Sequence, residues 1–200
     1  TRSQCYEVVQ QFIDTLPSDA IVRVEDRYGW QYRDGRDLSG FIDGTENPST
    51  KDERIEASVI PETGGSFLIH QVWQHDLQSL RRVEQREQEE WIGRKKEWSE
   101  ELSEKEMPIT SHVRRMRDEQ FKRVPIVRQS MPFGSVGGDS GLLFIAYANN
   151  VHKFDRLLDR MVGNTKDGHS DYVMKFSKCI SSNYYYIPSR TELAHFKKNE

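Results

Sequence analysis

Cysteine is scarce in this sequence of 200 residues, which contains only Cys5 and Cys179. The two form no CxxC pair and are too few for a disulfide framework, so we expect reduced thiols and a cytoplasmic protein. The sequence has no run of about 18 apolar residues, and we therefore expect no membrane partner. The formal net charge is only −3, which gives no basic footprint for nucleic acid.

What the chain does have is a mixture of helical and strand-like patterns, with 35% hydrophobic and 30% charged residues. Such a composition suits a globular domain with a core. Helical spacing of apolar residues predicts helices over 3–15, 76–96, 152–162 and 171–176. Alternating or short apolar runs predict strands over 20–33, 66–75, 126–130, 141–148 and 183–188. Strands separated by helices favour an α+β fold.

A loop rich in Gly and Asp contains the most informative string, GFIDGTENP (40–48). Gly40 and Gly44 permit backbone conformations that other residues disfavour, and Asp43 lies between them beside two apolar residues. A carboxylate in such apolar surroundings could have its pKa tuned for proton transfer. The alternative from local chemistry is a simple turn in which Asp43 caps the backbone.

Histidine is a second candidate for chemistry, because imidazole is the common axial ligand of haem iron. The sequence offers His70, His75, His112, His152, His169 and His195. A lone histidine is more often structural or exposed than a ligand, and local sequence chemistry does not choose among these six.

Arg128 stands in an apolar, strand-like run, PIVRQSMPFG (125–134). A fixed positive charge in such a run is unusual, and it could stabilise negative charge that develops during a reaction. The alternatives are a surface arginine or a structural ion pair.

Taken together, these strings resemble the dye-decolorising peroxidase family, and they are closest to its short, bacterial-type subgroup. The matched strings follow the family order: RDLSGFIDGTENP, GGSF, IGRKKE, SHVRR, IVRQSMPFG and GLLFIAY. The resemblance implies that Asp43 moves a proton, that His112 ligates haem iron, and that Arg128 stabilises charge beside bound peroxide. His112 is selected from the six histidines because Ser111 and Val113 flank it, and because it follows Asp43 at the family spacing.

Four further positions follow from the same resemblance. Ser130 is implied to hold a water or peroxide on the distal side of the haem, and Asp171 to hydrogen-bond the proximal His112. Arg94 is implied to pair with a haem propionate, and Phe144 to line the distal pocket. The alternatives are a helix-terminal acid for Asp171, a solvated charge for Arg94 and ordinary strand core for Phe144.

The resemblance also implies a fold with a defined division of the chain. The expected fold is a ferredoxin-like antiparallel sheet with helices, the C-terminal half of a two-domain dimeric α+β barrel. The chain would then lack roughly the first hundred residues of the family. Residues 1–33 would be the last helix and strand of a preceding ferredoxin-like domain, and residues 34–200 the haem-binding domain.

The reaction implied is the oxidation of dyes, phenolics or other organic reductants by hydrogen peroxide, through an oxyferryl intermediate on haem b (iron protoporphyrin IX). A homo-oligomer is also expected. The alternative function is a haem-handling protein, either a carrier or an enzyme that extracts iron, without fast peroxidase turnover. A third interpretation is an interaction module that does not bind haem.

Overall fold

The structure, a computed structural model, describes residues 1–118, 120 and 122–196. Within them the helices are α1 (Arg2–Asp14), α2 (Lys51–Ser58), α3 (Leu77–Leu80), α4 (Gln85–Ile92), α5 (His112–Arg115), α6 (His152–Val162) and α7 (Arg190–Phe196). The strands are β1 (Ser66–His75), β2 (Val127–Arg128), β3 (Met131–Gly134), β4 (Ser140–Ala148) and β5 (Ser177–Ile187). Short 3-10 turns lie at Ser18–Ala20 and Tyr172–Lys175.

The strands of the described residues form one antiparallel sheet in the order β2-β4-β1-β5, with β3 also paired to β4. The strand predicted over 66–75 is confirmed as β1, which lies between β4 and β5. The strand predicted over 183–188 is confirmed but begins earlier, at Ser177. Its first half, SKCISS, is too polar to show a strand pattern. Pairing with β1 stabilises the extended conformation that the local sequence does not favour. The sheet with its helices is the expected α+β architecture.

The cross-strand register shows which side chains share a face of the sheet. Ala146 of β4 lies opposite both Ile69 of β1 and Arg128 of β2, and residues directly opposite each other point to the same side. Phe144 lies two residues away on β4 and shares that side. Phe154 of α6 packs into a core cluster with Ile69 and Ala146. The face that carries Arg128 and Phe144 is therefore turned toward the helical layer.

The single helix predicted over 76–96 is wrong, because two short helices, α3 and α4, occupy this stretch. The side-chain amide of Gln88 donates to the carbonyls of Leu80 (3.0 Å) and Val83 (2.7 Å), groups that a continuous helix would have bonded internally. The break lets Leu80 pack with Phe176 in a second core cluster.

The strand predicted over 20–33 is also wrong. Only an isolated bridge from Gly29 to Phe133 joins this stretch to the sheet, and Val22 is 98% exposed. Alternating apolar residues form a strand only when a neighbouring strand pairs with them over several residues, and here β3 accepts a single backbone hydrogen bond, from the N–H of Trp30 to the carbonyl of Pro132 at 3.0 Å. The helix predicted over 3–15 is confirmed as α1. The assignment of 1–33 to a preceding domain stays a prediction.

Two properties of the described residues concern ligands and partners. None of their helices combines the length and the apolar character needed to cross a membrane. Their His, Cys, Asp and Glu side chains form no group of three or more that could hold a metal ion.

Candidate functional site

His112 is the first residue of α5, which is a single helical turn. The hydroxyl of Ser111 caps this turn by accepting a hydrogen bond from the N–H of Arg114 at 3.4 Å. Gly93, which has a φ of +93°, lets α5 approach the end of α4, because a Cβ there would lie 3.0 Å from Cβ of Val113. Only glycine readily combines that backbone conformation with such close packing. The sequence IGRKKE thus helps to fix where His112 stands.

Asp171 orients the imidazole ring of His112. Nδ1 of His112 lies 2.7 Å from Oδ2 of Asp171. A carboxylate only accepts, so Nδ1 carries the proton and donates, which leaves Nε2 as the nitrogen able to bind a ligand. The Asp171 side chain is fully buried, and its Oδ1 accepts from the N–H of Val173 at 2.9 Å. Asp171 therefore both caps the 3-10 turn that follows it and holds the ring.

The ring of His112 is partly exposed but largely surrounded by protein. About a third of its side-chain surface (31%) is uncovered, yet desolvation by surrounding protein is the largest single influence on its pKa and lowers it. The charge of Asp171 and its hydrogen bond together outweigh that effect, so the pKa of His112 is raised above its ordinary value. Arg128 lowers and Asp43 raises the same pKa. Both charged groups therefore lie within electrostatic reach of the ring.

Asp43 is half-buried in the loop formed by GFIDGTENP. Gly44, with a φ of +79°, turns its N–H back onto Oδ1 of Asp43 at 2.7 Å. The N–H of Asp43 donates to the carbonyl of Gly35 at 3.2 Å. This is the turn that local chemistry predicted, and it holds one carboxylate oxygen. The other oxygen, Oδ2, makes no hydrogen bond with the described residues, so it remains available for proton transfer.

Asn47, from the same loop, holds the backbone of Arg128. Its side-chain Oδ1 accepts from the N–H of Arg128 at 2.8 Å, and its Nδ2 donates to the carbonyl of Arg128 at 2.8 Å. The amide thus satisfies both backbone groups of a residue on the edge strand β2. The two most informative strings of the sequence are joined in space by this contact. The guanidinium of Arg128 makes no hydrogen bond or ion pair within the described residues.

Ser130 lies two residues beyond Arg128, between β2 and β3. Its hydroxyl oxygen is buried and has no hydrogen-bond partner among the described residues. Buried hydroxyl groups in native proteins almost always have a partner, and a bound water or ligand is the usual one when the protein supplies none. Ser130 therefore has the character expected of a group that contacts a small polar ligand.

Phe144 lies opposite Gln71 in the sheet and packs, partly buried, against the cluster around Phe154. This is the strand-core role that its sequence context allows. Because Phe144 points to the same side as Arg128, the same ring also forms part of the apolar surface beside that arginine.

Arg94 is largely buried and is bonded to the protein's own groups. Its guanidinium donates to the carbonyl of Ser99 at 2.7 Å, to Glu101 at 3.2 Å and to Glu46. Glu46 belongs to the same loop as Asp43, so Arg94 ties the end of α4 to that loop. The alternative of a solvated helix charge is wrong for this side chain, which is 11% exposed. A contact between Arg94 and a haem propionate stays a prediction.

The structure brings His112, Asp171, Asp43 and Arg128 into one electrostatic neighbourhood, and Ser130 lies two residues from Arg128 along the chain. Sequence reasoning named these residues but missed Asn47, although its string was recognised. A side-chain amide that serves one backbone residue 81 positions away leaves no local signal.

Comparison with known proteins identifies the relatives of this chain. A family model described as Dyp-type peroxidase, C-terminal, matches residues 34–192. The dye-decolorizing peroxidase of Mycobacterium tuberculosis is 34% identical over 203 residues, which cover 98% of this chain and 60% of that protein. The corresponding protein of Brevibacterium linens is 33% identical and is covered over 52% of its length, against 93% of this chain. The chain thus spans little more than half the length of these relatives.

Solved structures agree in fold. A dye-decolorizing protein from V. cholerae superposes with a TM-score of 0.87 at 38% identity, covering 98% of this chain and 65% of that one. A variant of DypB from Rhodococcus jostii RHA1, solved in complex with heme, superposes with a TM-score of 0.86 at 35% identity, covering 94% of this chain and 63% of that one. The expected ferredoxin-like α+β fold is confirmed. The chain belongs to the dye-decolorising peroxidase family.

Proposed function

We propose that this chain binds haem through Nε2 of His112 and uses hydrogen peroxide to oxidise organic molecules. The observation that carries the proposal is a partly exposed imidazole whose Nδ1 is held by Asp171, while Arg128 and Asp43 act electrostatically on the same ring. Heme in the related DypB structure and the names of the curated relatives support it. Haem b is the form we propose.

The residues present fit a haem group on their own chemistry. Imidazole with its other nitrogen bonded to a carboxylate is a typical iron ligand, and Asp171 supplies that carboxylate to His112. The hydroxyl of Ser130 is buried without a partner among the described residues, which suits an absent small ligand. Bound haem would supply the redox centre that takes oxidising equivalents from peroxide and passes them to a reductant.

On the proximal side, the chain holds Nε2 of His112 in place. Asp171 draws the proton on Nδ1 toward itself, which makes the His112 ring more electron-rich at Nε2. Because Asp171 is fully buried and bonded at both oxygens, the ring has little freedom to rotate.

On the distal side, we assign proton movement to Asp43 and charge stabilisation to Arg128. Oδ2 of Asp43 takes a proton from one oxygen of peroxide and returns it to the other. The guanidinium of Arg128 stabilises the negative charge that develops as the oxygen–oxygen bond breaks. Ser130 holds a water or the peroxide itself, and Phe144 lines the pocket. Arg94, which also donates to Glu46 and Glu101, pairs with a haem propionate.

We assign haem binding to residues 34–200, because every proposed site residue lies between Asp43 and Asp171. The reductant we propose is a dye, a phenolic or a similar organic molecule, as the names of the relatives suggest. A homo-oligomer and a cytoplasmic location complete the proposal.

The test is peroxide-dependent decolorisation of an anthraquinone dye by the haem-loaded chain. We expect colour loss that requires both haem and peroxide and that slows in Asp43→Asn. With a haem-handling protein the dye would instead keep its colour. With an iron-extracting enzyme, iron would be released from haem to a chelator. Either result with fully loaded protein would reject the peroxidase assignment.

A further inference from the structure

The helix that carries His112 cannot hold its own orientation. α5 has four residues, and a single turn in isolation is unstable because nucleation costs more than one turn of hydrogen bonds returns. The direction of the imidazole must therefore be set by contacts between α5 and its neighbours. His112 lies at one end of the turn, and Arg115, which is 0% exposed, lies at the other.

Arg115 makes a dense set of contacts for a buried guanidinium. Its Nη1 and Nη2 donate to the two oxygens of Asp167 at 2.8 and 3.3 Å, and its Nη2 also donates to Oγ1 of Thr165 at 3.0 Å. Its Nε donates to the carbonyl of Arg160 at 2.8 Å, and Nε of Arg160 donates to the carbonyl of Arg115 at 3.1 Å. Paired N–H donors on one carboxylate fix both distance and angle.

The carboxylate of Asp167 also organises its own loop, residues 163–171. Its Oδ1 accepts from the hydroxyl of Thr165 at 2.7 Å and from the N–H of His169 at 3.1 Å. Contact with Arg115, first, and with Thr165, second, lowers the pKa of Asp167 far below its ordinary value. Asp167 is therefore a carboxylate at neutral pH and a firm partner for the buried guanidinium.

The same loop ends in Asp171, the partner of His112. The loop is thus attached at both ends of α5: Arg115 binds Asp167 and Thr165, and His112 binds Asp171. We propose that the Arg115–Asp167 pair is a positioning device that sets the loop at the distance where Oδ2 of Asp171 meets Nδ1 of His112. Arg115 cannot relax away from Asp167 without leaving a buried charge unpaired, so the spacing is rigid.

The consequence for haem chemistry rests on the proposed function, whereas the positioning itself does not. In the haem-free chain, the pair should keep the proton of Nδ1 in a short hydrogen bond to Asp171. In the haem-loaded chain, the same bond should set the electron density of the imidazole on iron.

The variant that tests the proposal is Asp167→Asn, because its side chain keeps its size but puts an amide donor against the donors of Arg115. The matched control is Asp159→Asn at the end of α6, whose carboxylate accepts from Nδ2 of Asn164 at 2.8 Å at the start of the same loop. A milder second variant is Thr165→Val, which removes one acceptor of Arg115 and leaves Asp167 in place.

The primary readout is the NMR signal of the His112 Nδ1 proton in the haem-free chain, assigned by its loss in Asp171→Asn. We expect this far-downfield signal in the unchanged chain and in Asp159→Asn. We expect it to be lost in Asp167→Asn and shifted upfield in Thr165→Val. An unchanged signal in a folded Asp167→Asn chain would overturn the proposal. If Asp167→Asn does not fold, Thr165→Val decides: a shifted signal supports the proposal and an unchanged one overturns it.

The second readout is the iron–imidazole stretching frequency of the reduced, haem-loaded protein. We expect it to fall in Asp167→Asn, in the same direction as in Asp171→Asn but by less, and to stay constant in Asp159→Asn. Failure of the unchanged chain to bind haem would reject the proposed function alone, since the proton signal still tests the positioning. A lowered frequency in Asp159→Asn equal to that in Asp167→Asn would contradict a specific role for the pair.

Discussion

Arg128 has a firmly held backbone. Asn47 binds its N–H and its carbonyl, while the side chain makes no hydrogen bond or ion pair within the described residues. A charge kept unpaired within electrostatic reach of an imidazole has more use in catalysis than in stability. The residue can therefore be changed with little risk to the fold.

We predict that Arg128→Ala slows the reaction of the haem-loaded chain with peroxide by about 100-fold or more, because a preorganised charge is lost. Stopped-flow absorbance measures the rate, and the melting temperature should barely move. Arg156→Ala, at an arginine on α6 with 59% of its side chain exposed, is the control and should leave the rate intact. Equal rates for Arg128→Ala and the unchanged chain would remove Arg128 from the mechanism.

Asn47 gives a second prediction at this scale. Asn47→Ala leaves the backbone groups of Arg128 without their partner, which should cost about 1–3 kcal/mol of unfolding free energy. Denaturant titration measures this loss, and the peroxide rate should fall as well because Arg128 becomes mobile. Asn183→Ala, at an exposed asparagine of β5, should change neither quantity. A stable variant with normal peroxide kinetics would show that the contact of Asn47 with the backbone of Arg128 is dispensable.

Among the elements, α5 depends on its neighbours most heavily. Gly93 allows it to pack against α4, and the reciprocal contacts of Arg115 and Arg160 fix its other end. Arg160 of α6 also donates to the carbonyls of Arg115 and Arg114 at the C-terminal end of α5, where a positive charge is favourable. Small displacements of either neighbour should therefore appear first at His112.

We predict that Gly93→Ala weakens haem affinity by about 10- to 100-fold, because a Cβ there pushes α5 and misdirects the imidazole. The matched control is Gly137→Ala, where φ is also positive (+76°) but a Cβ would meet nothing within 4 Å. Both variants share the backbone strain of roughly 1–2 kcal/mol that a side chain causes at a positive φ. Haem titration separates them, and equal affinities would mean that the packing of α5 on Gly93 does not direct His112.

A buried contact between elements gives the pH prediction. His75, at the end of β1, has its Nε2 3.2 Å from Asp37 and its Nδ1 2.8 Å from the hydroxyl of Ser177 on β5. Desolvation raises the pKa of Asp37, but the hydrogen bond and charge of His75 together with the hydrogen bonds of Ser39 outweigh it, and the net shift is downward from 3.8. The carboxylate therefore stabilises the fold above that ordinary value, and its contribution is lost as pH falls through the lower pKa of the folded state.

Asp37→Asn should accordingly lower the unfolding free energy at neutral pH and flatten its decline between about pH 5 and pH 2. Chemical denaturation at several pH values measures this slope. Asp19→Asn, at an exposed aspartate, should preserve the slope of the unchanged chain. A parallel decline in Asp37→Asn and the unchanged chain would show that Asp37 does not contribute to acid sensitivity.

Across the whole molecule, the sequence predicts local patterns well and long-range contacts poorly. β1 and α6 match their predicted ranges. In α6, burial of one face imposes a helical period on the sequence. The stretch 20–33 shows a strand period yet forms no strand, since pairing depends on a neighbour that the period does not reveal.

The candidate site was predictable only where a whole string could be recognised. GFIDGTENP and SHVRR point to Asp43 and His112, but neither string shows that Asn47 binds the backbone of Arg128. The contact of Arg115 with Asp167 joins residues 52 positions apart through an ordinary Arg–Asp pair, of which the sequence offers many combinations. Such contacts are set by the packing of α5 on its neighbours and become visible only in the folded chain.

The measurement that tests the central claim most directly is a haem titration followed by absorbance. The account predicts saturable, one-to-one binding with the spectrum of histidine-ligated haem for the unchanged chain and for His152→Ala, at an exposed histidine of α6. It predicts that His112→Ala loses this spectrum. Identical spectra for His112→Ala and the unchanged chain, or no binding by the folded unchanged chain, would contradict it.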